Sequence, residues 1–158
     1  MMDSIFYFAY SKHIDAGNLK RLCIHPSFSI SAFLPNYRLA FNVLEDELFR
    51  FETRGLANIV PRSGFNVEGV LYELSEEDFI KLDDDYGVPE MKYYRKLVTA
   101  QDCNGCLYSA MTYAGWPDVT SLGLLPSGNY MKEIIDAARH KGMSSELRQF
   151  LETHPTTV

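Results

Sequence analysis

Val67-Glu-Gly-Val-Leu-Tyr-Glu-Leu-Ser-Glu-Glu-Asp-Phe-Ile-Lys-Leu-Asp-Asp-Asp-Tyr-Gly-Val88 changes its hydrophobic period in the middle. Val67 to Glu73 is dense in apolar and β-favouring residues and reads as a strand. Ser75 is a good helix cap, and Glu76, Glu77 and Asp78 fill the first turn, where the helix dipole favours negative charge. Phe79, Leu82 and Tyr86 then recur at helical spacing, and Gly87, with Pro89 just beyond, stops the helix. Asp83, Asp84 and Asp85 crowd its C-terminal end, where the dipole disfavours acids. Either they form a solvated face, or Lys81, Arg95 or a functional cation compensates them.

Working outward, Ile5 to Tyr10 is a short buried strand, and the polar run Ser11 to Gly17 turns the chain. Asp15 caps a helix running to about Cys23, ended by His25-Pro26. Ser29–Leu34 and Tyr37–Asn42 read as strands split by Pro35-Asn36. Ala57–Pro61 and Val67–Glu73 read as strands split by Arg62-Ser63-Gly64. Tyr93–Ala100 and Cys106–Tyr113 form a hairpin, with Asn104-Gly105 as a type I′ turn signal. A loop from Trp116 to Gly128 leads to a helix from Tyr130 to His140, closed at Gly142. Ser144 caps a last short helix to about Glu152. Helices do not alternate strictly with strands, so an α+β fold with a mixed or antiparallel sheet follows, flanked by helices, rather than a doubly wound parallel one.

A chain of 158 residues is one domain's length and buries roughly 70% of its unfolded surface. Ten Phe and ten Tyr argue against disorder. A net charge of −6 disfavours a nucleic-acid partner, which wants a basic face. No stretch nears the ~20 apolar residues of a membrane span. Met1 to Tyr10 lacks the cationic start and cleavage site of a signal peptide. The reading is a cytoplasmic protein with no membrane partner.

Cys103 and Cys106 have CxxC spacing, but a zinc site needs two further ligands and a redox pair normally opens a helix. They read as strand-end thiols. His25, His140 and His154 stand without ligand partners at fixed spacing. No dinucleotide, Walker or nucleophile-elbow motif is present. Neither metal nor cofactor is implied.

Three segments, in order, resemble the gamma-glutamylcyclotransferase-like family over about residues 5 to 150. They are Tyr7-Phe-Ala-Tyr-Ser-Lys-His-Ile14, then Gly55-Leu-Ala-Asn-Ile-Val-Pro61 with Val67–Leu74 and Leu82–Val88, then Pro126-Ser-Gly-Asn-Tyr130. The resemblance implies a small, partly closed barrel ringed by helices, with a pocket at one end. It also implies a cofactor-free cyclisation of a γ-glutamyl amine or peptide to 5-oxoproline plus the free amine. The family's first loop reads Tyr-Gly-Ser-Asn-Leu and binds substrate through backbone amides. Here the loop is Tyr10-Ser11-Lys12-His13-Ile14, with Ser11 where the family has the more permissive Gly. Lys12 brings a positive charge to the pocket mouth, and His13 a titratable ring. The family's acid–base Glu, in Leu-Asp-x-x-Glu-Gly, falls on Tyr86. An unperturbed phenol has a pKa of about 10 against about 4.3 for Glu, so Tyr86 is no simple replacement. Glu90, beyond Gly87 and Pro89, is a substitute base if it folds back. Asp85 is another, although its side chain leaves the helix about 100° from that of Tyr86. Tyr93 and Tyr130 match pocket-lining positions, or are core aromatics.

Three functions are therefore carried forward. The first is the cyclotransferase reaction on a small molecule with a γ-glutamyl or other carboxylate group. The second is a different acyl or amine chemistry built on Lys12, His13 and Tyr86. The third is a non-catalytic module binding a small anion or metabolite. A homodimer is compatible with each.

Overall fold

The computed structural model describes residues 5–45 and 54–157. Five strands, β1 (Ile5–Ala9), β2 (Ser29–Leu44), β3 (Gly55–Leu74), β4 (Tyr93–Gln101) and β5 (Leu107–Gly115), close into a barrel in the order β1-β3-β2-β4-β5. Every seam is antiparallel except β1 with β5, where Phe6 pairs with Ala110 and Tyr7 with Met111 in parallel register. Helices α1 (Ala16–Lys20), α2 (Glu76–Tyr86), α3 (Gly128–Lys141) and α4 (Ser145–Thr153) surround it. The fold is thus the α+β barrel expected from the sequence, and it closes fully.

Two expected breaks are not breaks. Ser29–Leu34 and Tyr37–Asn42 are one strand, and so are Ala57–Pro61 and Val67–Glu73. The interruptions fall opposite each other: Pro35 pairs with Asn66 and Tyr37 with Pro61, so Asn36 faces the bulge Arg62–Phe65. Asn36, at φ 66°, caps that bulge by accepting a hydrogen bond from the Gly64 N–H at 3.1 Å. A bulge bends a strand and lets the ladder resume beyond it. The β4–β5 turn also differs from expectation. A type I′ turn needs positive φ at both central residues. Among the described residues only Gly105 of this turn has it, at φ 82°. The Gly105 N–H donates to the Asp102 carbonyl, and Asp102 Oδ1 accepts from the Asn104 and Cys106 amides. The carboxylate thus builds the turn instead. Cys103 and Cys106 are exposed there as free thiols. Helix α1 stops at Lys20, short of Cys23, which takes φ 60°.

The other helix signals act as read. Ser75 and Asp78 form a reciprocal capping box, and Gly87 ends α2 at φ 72° with its N–H turned back to the Asp83 and Asp84 carbonyls. Ser144 caps α4 and Gly142 ends α3 at φ 75°, but α3 starts at Gly128, two residues before the expected Tyr130, because Ser127 caps it. Among the described residues, no helix is long and apolar enough to cross a membrane.

The core fills the barrel and the layer beneath α2 and α3. Tyr7, Phe8 and Ala9 of β1 have no exposed surface. That strand delivers the chain straight into the Tyr10–Ile14 loop, so its packing sets where the loop sits. Gly69 of β3 guards this position: a Cβ there would lie 2.3 Å from the Ala9 carbonyl oxygen and 2.7 Å from the Phe8 ring. Gly69→Ala is expected to cost about 1–3 kcal/mol by overpacking, read as a lower urea midpoint. An unchanged midpoint would show that β1 is free to shift.

Candidate active site

A cleft of about 700 Å³ opens at the end of the barrel between the 11–14 loop, the C-terminal end of α2 and the start of α3. Ser11, Lys12, Tyr86, Glu90, Tyr93 and Tyr130 all line it, so six of the sequence-derived candidates share one space. Asp85 lines it too. Tyr10, His13 and Ile14 do not: each is at most 1% exposed and lies behind the wall. Glu90 is exposed at the rim, near Gly87.

The loop is held rigidly from below. Lys12 to Ile14 form a single 3-10 turn. The Tyr72 hydroxyl, from β3, donates to the carbonyls of His13 and Ile14 at 2.9 and 2.7 Å. The Asn18 amide donates to the Lys12 carbonyl at 2.6 Å, and Asp15 caps α1 by accepting from the Gly17 N–H. Ser11 has a φ of −131°, so the left-handed conformation that favours glycine is not required there.

Tyr86 occupies the centre. Its ring stacks on Tyr113 at 4.1 Å and meets the edges of Tyr93 and His13 at 5.2 and 5.6 Å. Its hydroxyl lies 2.8 Å from the hydroxyl of Tyr7, a β1 side chain, and within hydrogen-bonding reach of Ser11. The Tyr7 hydroxyl lies 3.1 Å from His13 Nδ1. On its far side, His13 Nε2 is 3.3 Å from Asp85 Oδ2, and Lys12 Nζ is 3.7 Å from the same oxygen. Burial drives the Tyr86 and Tyr7 phenols well above their usual range. Burial also lowers His13, against the pull of Asp85, which favours the neutral ring. Contact with His13 holds Asp85 below the usual carboxylate value, with Lys12 adding to it.

Two of the three acids ending α2, Asp83 and Asp85, are compensated, while Asp84 is exposed. Asp83 receives a bidentate pair from Arg95 at 2.8 and 2.7 Å, and the Tyr113 hydroxyl at 2.7 Å. Asp85 faces Lys12 and His13. Lys81 is not used for this; its ammonium donates to the Cys23 carbonyl. Tyr93 and Tyr130 bracket Ala57: the Tyr93 hydroxyl donates to its carbonyl, and the Tyr130 hydroxyl accepts from its N–H. Both are thus wall and scaffold at once.

Sequence reasoning passed over Tyr7 and Tyr113, which read as ordinary strand aromatics. The signal was available, because a tyrosine on a fully buried strand must find a partner for its hydroxyl. A second groove, of about 840 Å³, lies between β2, β3 and α4, with Phe33, Phe41, Phe65, Leu122, Leu147 and Phe150 in its walls. It is larger, and Arg38, Glu68, Glu146 and His154 also line it, with the Glu68 carboxylate taken up by Ser144. Among the described residues, no group of three or more His, Cys, Asp or Glu side chains could hold a metal ion.

The sequence model of the AIG2-like family matches residues 66–151, more than half of the chain. The structure of a gamma-glutamyl cyclotransferase superposes with a TM-score of 0.83 at 21% identity, covering 98% of this chain and 90% of that one. An uncharacterised protein from Homo sapiens superposes with a TM-score of 0.81 at 22% identity, covering 98% and 89%. A yeast gamma-glutamyl cyclotransferase specific to glutathione superposes at 0.67 and 13% identity, covering 94% and 93%. At these identities the likeness establishes the fold. No curated protein matches the sequence.

Asp83 anchors the stack under Tyr86, and its environment gives a pH signature. Burial alone would raise its pKa, but the hydrogen bonds from Arg95 and Tyr113 outweigh that and hold it below the usual value. A carboxyl depressed in the folded state contributes stability that is present above its unfolded pKa of about 3.9 and lost as pH falls through the folded one. Asp83→Asn is expected to cost roughly 1–2 kcal/mol at pH 7 and to flatten the loss of stability below about pH 4. Urea unfolding at pH 7 and between pH 5 and 2.5 reads both. A variant with the wild-type acid slope would remove Asp83 from this role.

Proposed function

The chain belongs to the AIG2-like family, and from that premise we propose that its cleft binds a γ-glutamyl amine or γ-glutamyl peptide and cyclises it to 5-oxoproline with release of the free amine. The observation that carries this reading is the charge layout around Tyr86. Lys12 stands on one side, only loosely engaged at 3.7 Å, and the carboxylates of Asp85 and Glu90 line the same cleft. A γ-glutamyl head is a zwitterion, with an α-carboxylate suited to Lys12 and an α-ammonium suited to the carboxylates. The fold shared with two gamma-glutamyl cyclotransferases supports the same substrate class.

The chemistry needs little more than orientation. The α-amine and the γ-carbonyl belong to one molecule, and a bound, folded conformer brings them into contact with a large entropic advantage. The α-ammonium must lose one proton to become a nucleophile and a second as the ring closes, and the departing nitrogen takes up two to leave as an ammonium. In this reading Tyr86, which lines the cleft, carries that exchange through its hydroxyl.

Incubation of the purified chain with a panel of γ-glutamyl amines and peptides, followed by mass spectrometry, should yield 5-oxoproline. Tyr86→Phe keeps the stacked ring and is expected to lower kcat about 10²-fold or more. Lys12→Ala should act mainly on KM, raising it roughly tenfold, as loss of one exposed charge contact would. The absence of 5-oxoproline across the whole panel would overturn the reading.

A further inference from the structure

Tyr86 alone does not explain how a proton is taken up. A phenol raised by burial does not become a tyrosinate at neutral pH, and no carboxylate replaces it at that position. The contacts behind it form a line: Tyr86 Oη to Tyr7 Oη at 2.8 Å, Tyr7 Oη to His13 Nδ1 at 3.1 Å, and His13 Nε2 to Asp85 Oδ2 at 3.3 Å. We propose that this line is a proton relay, in which the His13 imidazole, backed by Asp85, serves as the base of the reaction and acts on substrate through the hydroxyls of Tyr7 and Tyr86. The inference rests on cyclisation as the reaction performed in the cleft.

The direction of the line follows from Asp85. A carboxylate can only accept, so His13 Nε2 carries the hydrogen facing it. A neutral imidazole then has its lone pair on Nδ1, where it accepts from Tyr7. With its own hydrogen spent on His13, the Tyr7 oxygen accepts from Tyr86. The Tyr86 oxygen keeps its lone pairs, one of them met by Ser11, and both residues line the cleft. Every hydrogen bond in the line thus runs inward from the cleft to a neutral, buried base.

The proton balance closes. The α-ammonium first loses a proton to solvent; as the resulting neutral amine attacks the γ-carbon, it gives its second proton to Tyr86 Oη. Tyr86 passes its own proton to Tyr7, and Tyr7 passes its own to His13 Nδ1. No phenolate accumulates, and the charge created is an imidazolium beside Asp85. The 3.3 Å contact is long for a hydrogen bond and has room to shorten when the ring is charged. When the γ-carbon to nitrogen bond of the amide breaks, the same proton returns along the line to the departing amine. His13, Tyr7 and Asp85 are positioning and relay residues; Tyr86 is the group that meets substrate. The other groups facing His13 do not compete for this role. Lys12 adds positive charge next to it, and Tyr72 bonds its carbonyl. His140 of α3, the helix packed on this turn, is held by Asp15 at 2.9 Å.

Two measurements on the full chain test the relay. Nitrogen-15 imidazole spectra at pH 7.5 should show His13 as the neutral Nε2–H tautomer, with the Asp85→Asn variant losing that fixed preference. An Nδ1–H tautomer in the wild type would overturn the relay whether or not the protein turns over. In the kinetic arm, Tyr7→Phe removes one hydroxyl and keeps the ring, and should lower kcat by about 10²- to 10⁴-fold with KM little changed. The acid limb of the wild-type kcat profile should fall below pH 6.5, and Asp85→Asn should move it lower still, because the imidazolium loses its counter-charge. A Tyr7→Phe enzyme with wild-type kcat overturns the relay. A wild type that makes no 5-oxoproline overturns the cyclisation reading instead, and the tautomer then decides the hydrogen-bond line by itself.

Discussion

Four of the largest fully buried side chains are tyrosines, Tyr7, Tyr10, Tyr72 and Tyr113, and each brings a hydroxyl into a space with no water. A buried hydroxyl without a partner costs on the order of 1–3 kcal/mol, so each must be answered by a donor or acceptor at a fixed place. Tyr72 is answered by the His13 and Ile14 carbonyls, Tyr10 by the Tyr113 carbonyl, Tyr113 by Asp83, and Tyr7 by His13 and Tyr86. Satisfying the barrel interior therefore pins the 11–14 loop and the end of α2 against it. Those two segments are also the walls of the cleft. The same constraint that stabilises the core positions the site.

The chain makes this possible through local signals that are individually ordinary. Ser75 and Gly87 fix both ends of α2, so Asp83, Asp85 and Tyr86 leave its last turn in three directions. Asp83 turns to Arg95 and Tyr113, Asp85 to Lys12 and His13, and Tyr86 to Tyr7 and the cleft. Asp83 and Asp85, which oppose the helix dipole, are each tied to a cation, and Asp84 is exposed. Compensation of this kind is structural for Asp83, and for Asp85 it is the backing of the relay we propose.

Much of this was legible in the residues, and what was not has physical reasons. Helix boundaries followed from Ser75, Ser144, Gly87 and Gly142, because capping is a local interaction; the cap at Ser127, which starts α3 at Gly128 rather than Tyr130, was passed over. The strand breaks at Pro35-Asn36 and Arg62-Ser63-Gly64 were misread as ends of strands. Whether a turn signal ends a strand or bulges it depends on the partner strand, and here the two signals face each other. At Cys103-Asn-Gly-Cys106 the decisive group was Asp102, whose carboxylate organises the turn from outside the Asn-Gly pair. Of the residues that meet in the cleft, Ser11, Lys12 and Tyr86 were marked by their departure from the family's pattern and Tyr93 and Tyr130 by their match to it, but their spatial order was not legible. That His13 is buried behind Tyr7 rather than facing the cleft depends on a parallel β1–β5 pairing more than a hundred residues apart in sequence.

A fold shared with cyclotransferases does not by itself carry their reaction, since scaffolds host many chemistries. What ties this chain to the reaction is whether the space around Tyr86, rather than the larger apolar groove beside α4, is where a γ-glutamyl group sits. A crystal structure of the chain soaked with 5-oxoproline and with a non-cyclising γ-glutamyl analogue addresses this directly. The expected result is the ligand in the Tyr86 cleft, with its nitrogen within about 3.2 Å of the Tyr86 hydroxyl and its carboxylate toward Lys12. Ligand bound only in the groove walled by Phe41, Phe65 and Phe150, or an empty Tyr86 cleft at saturating concentration, would contradict it.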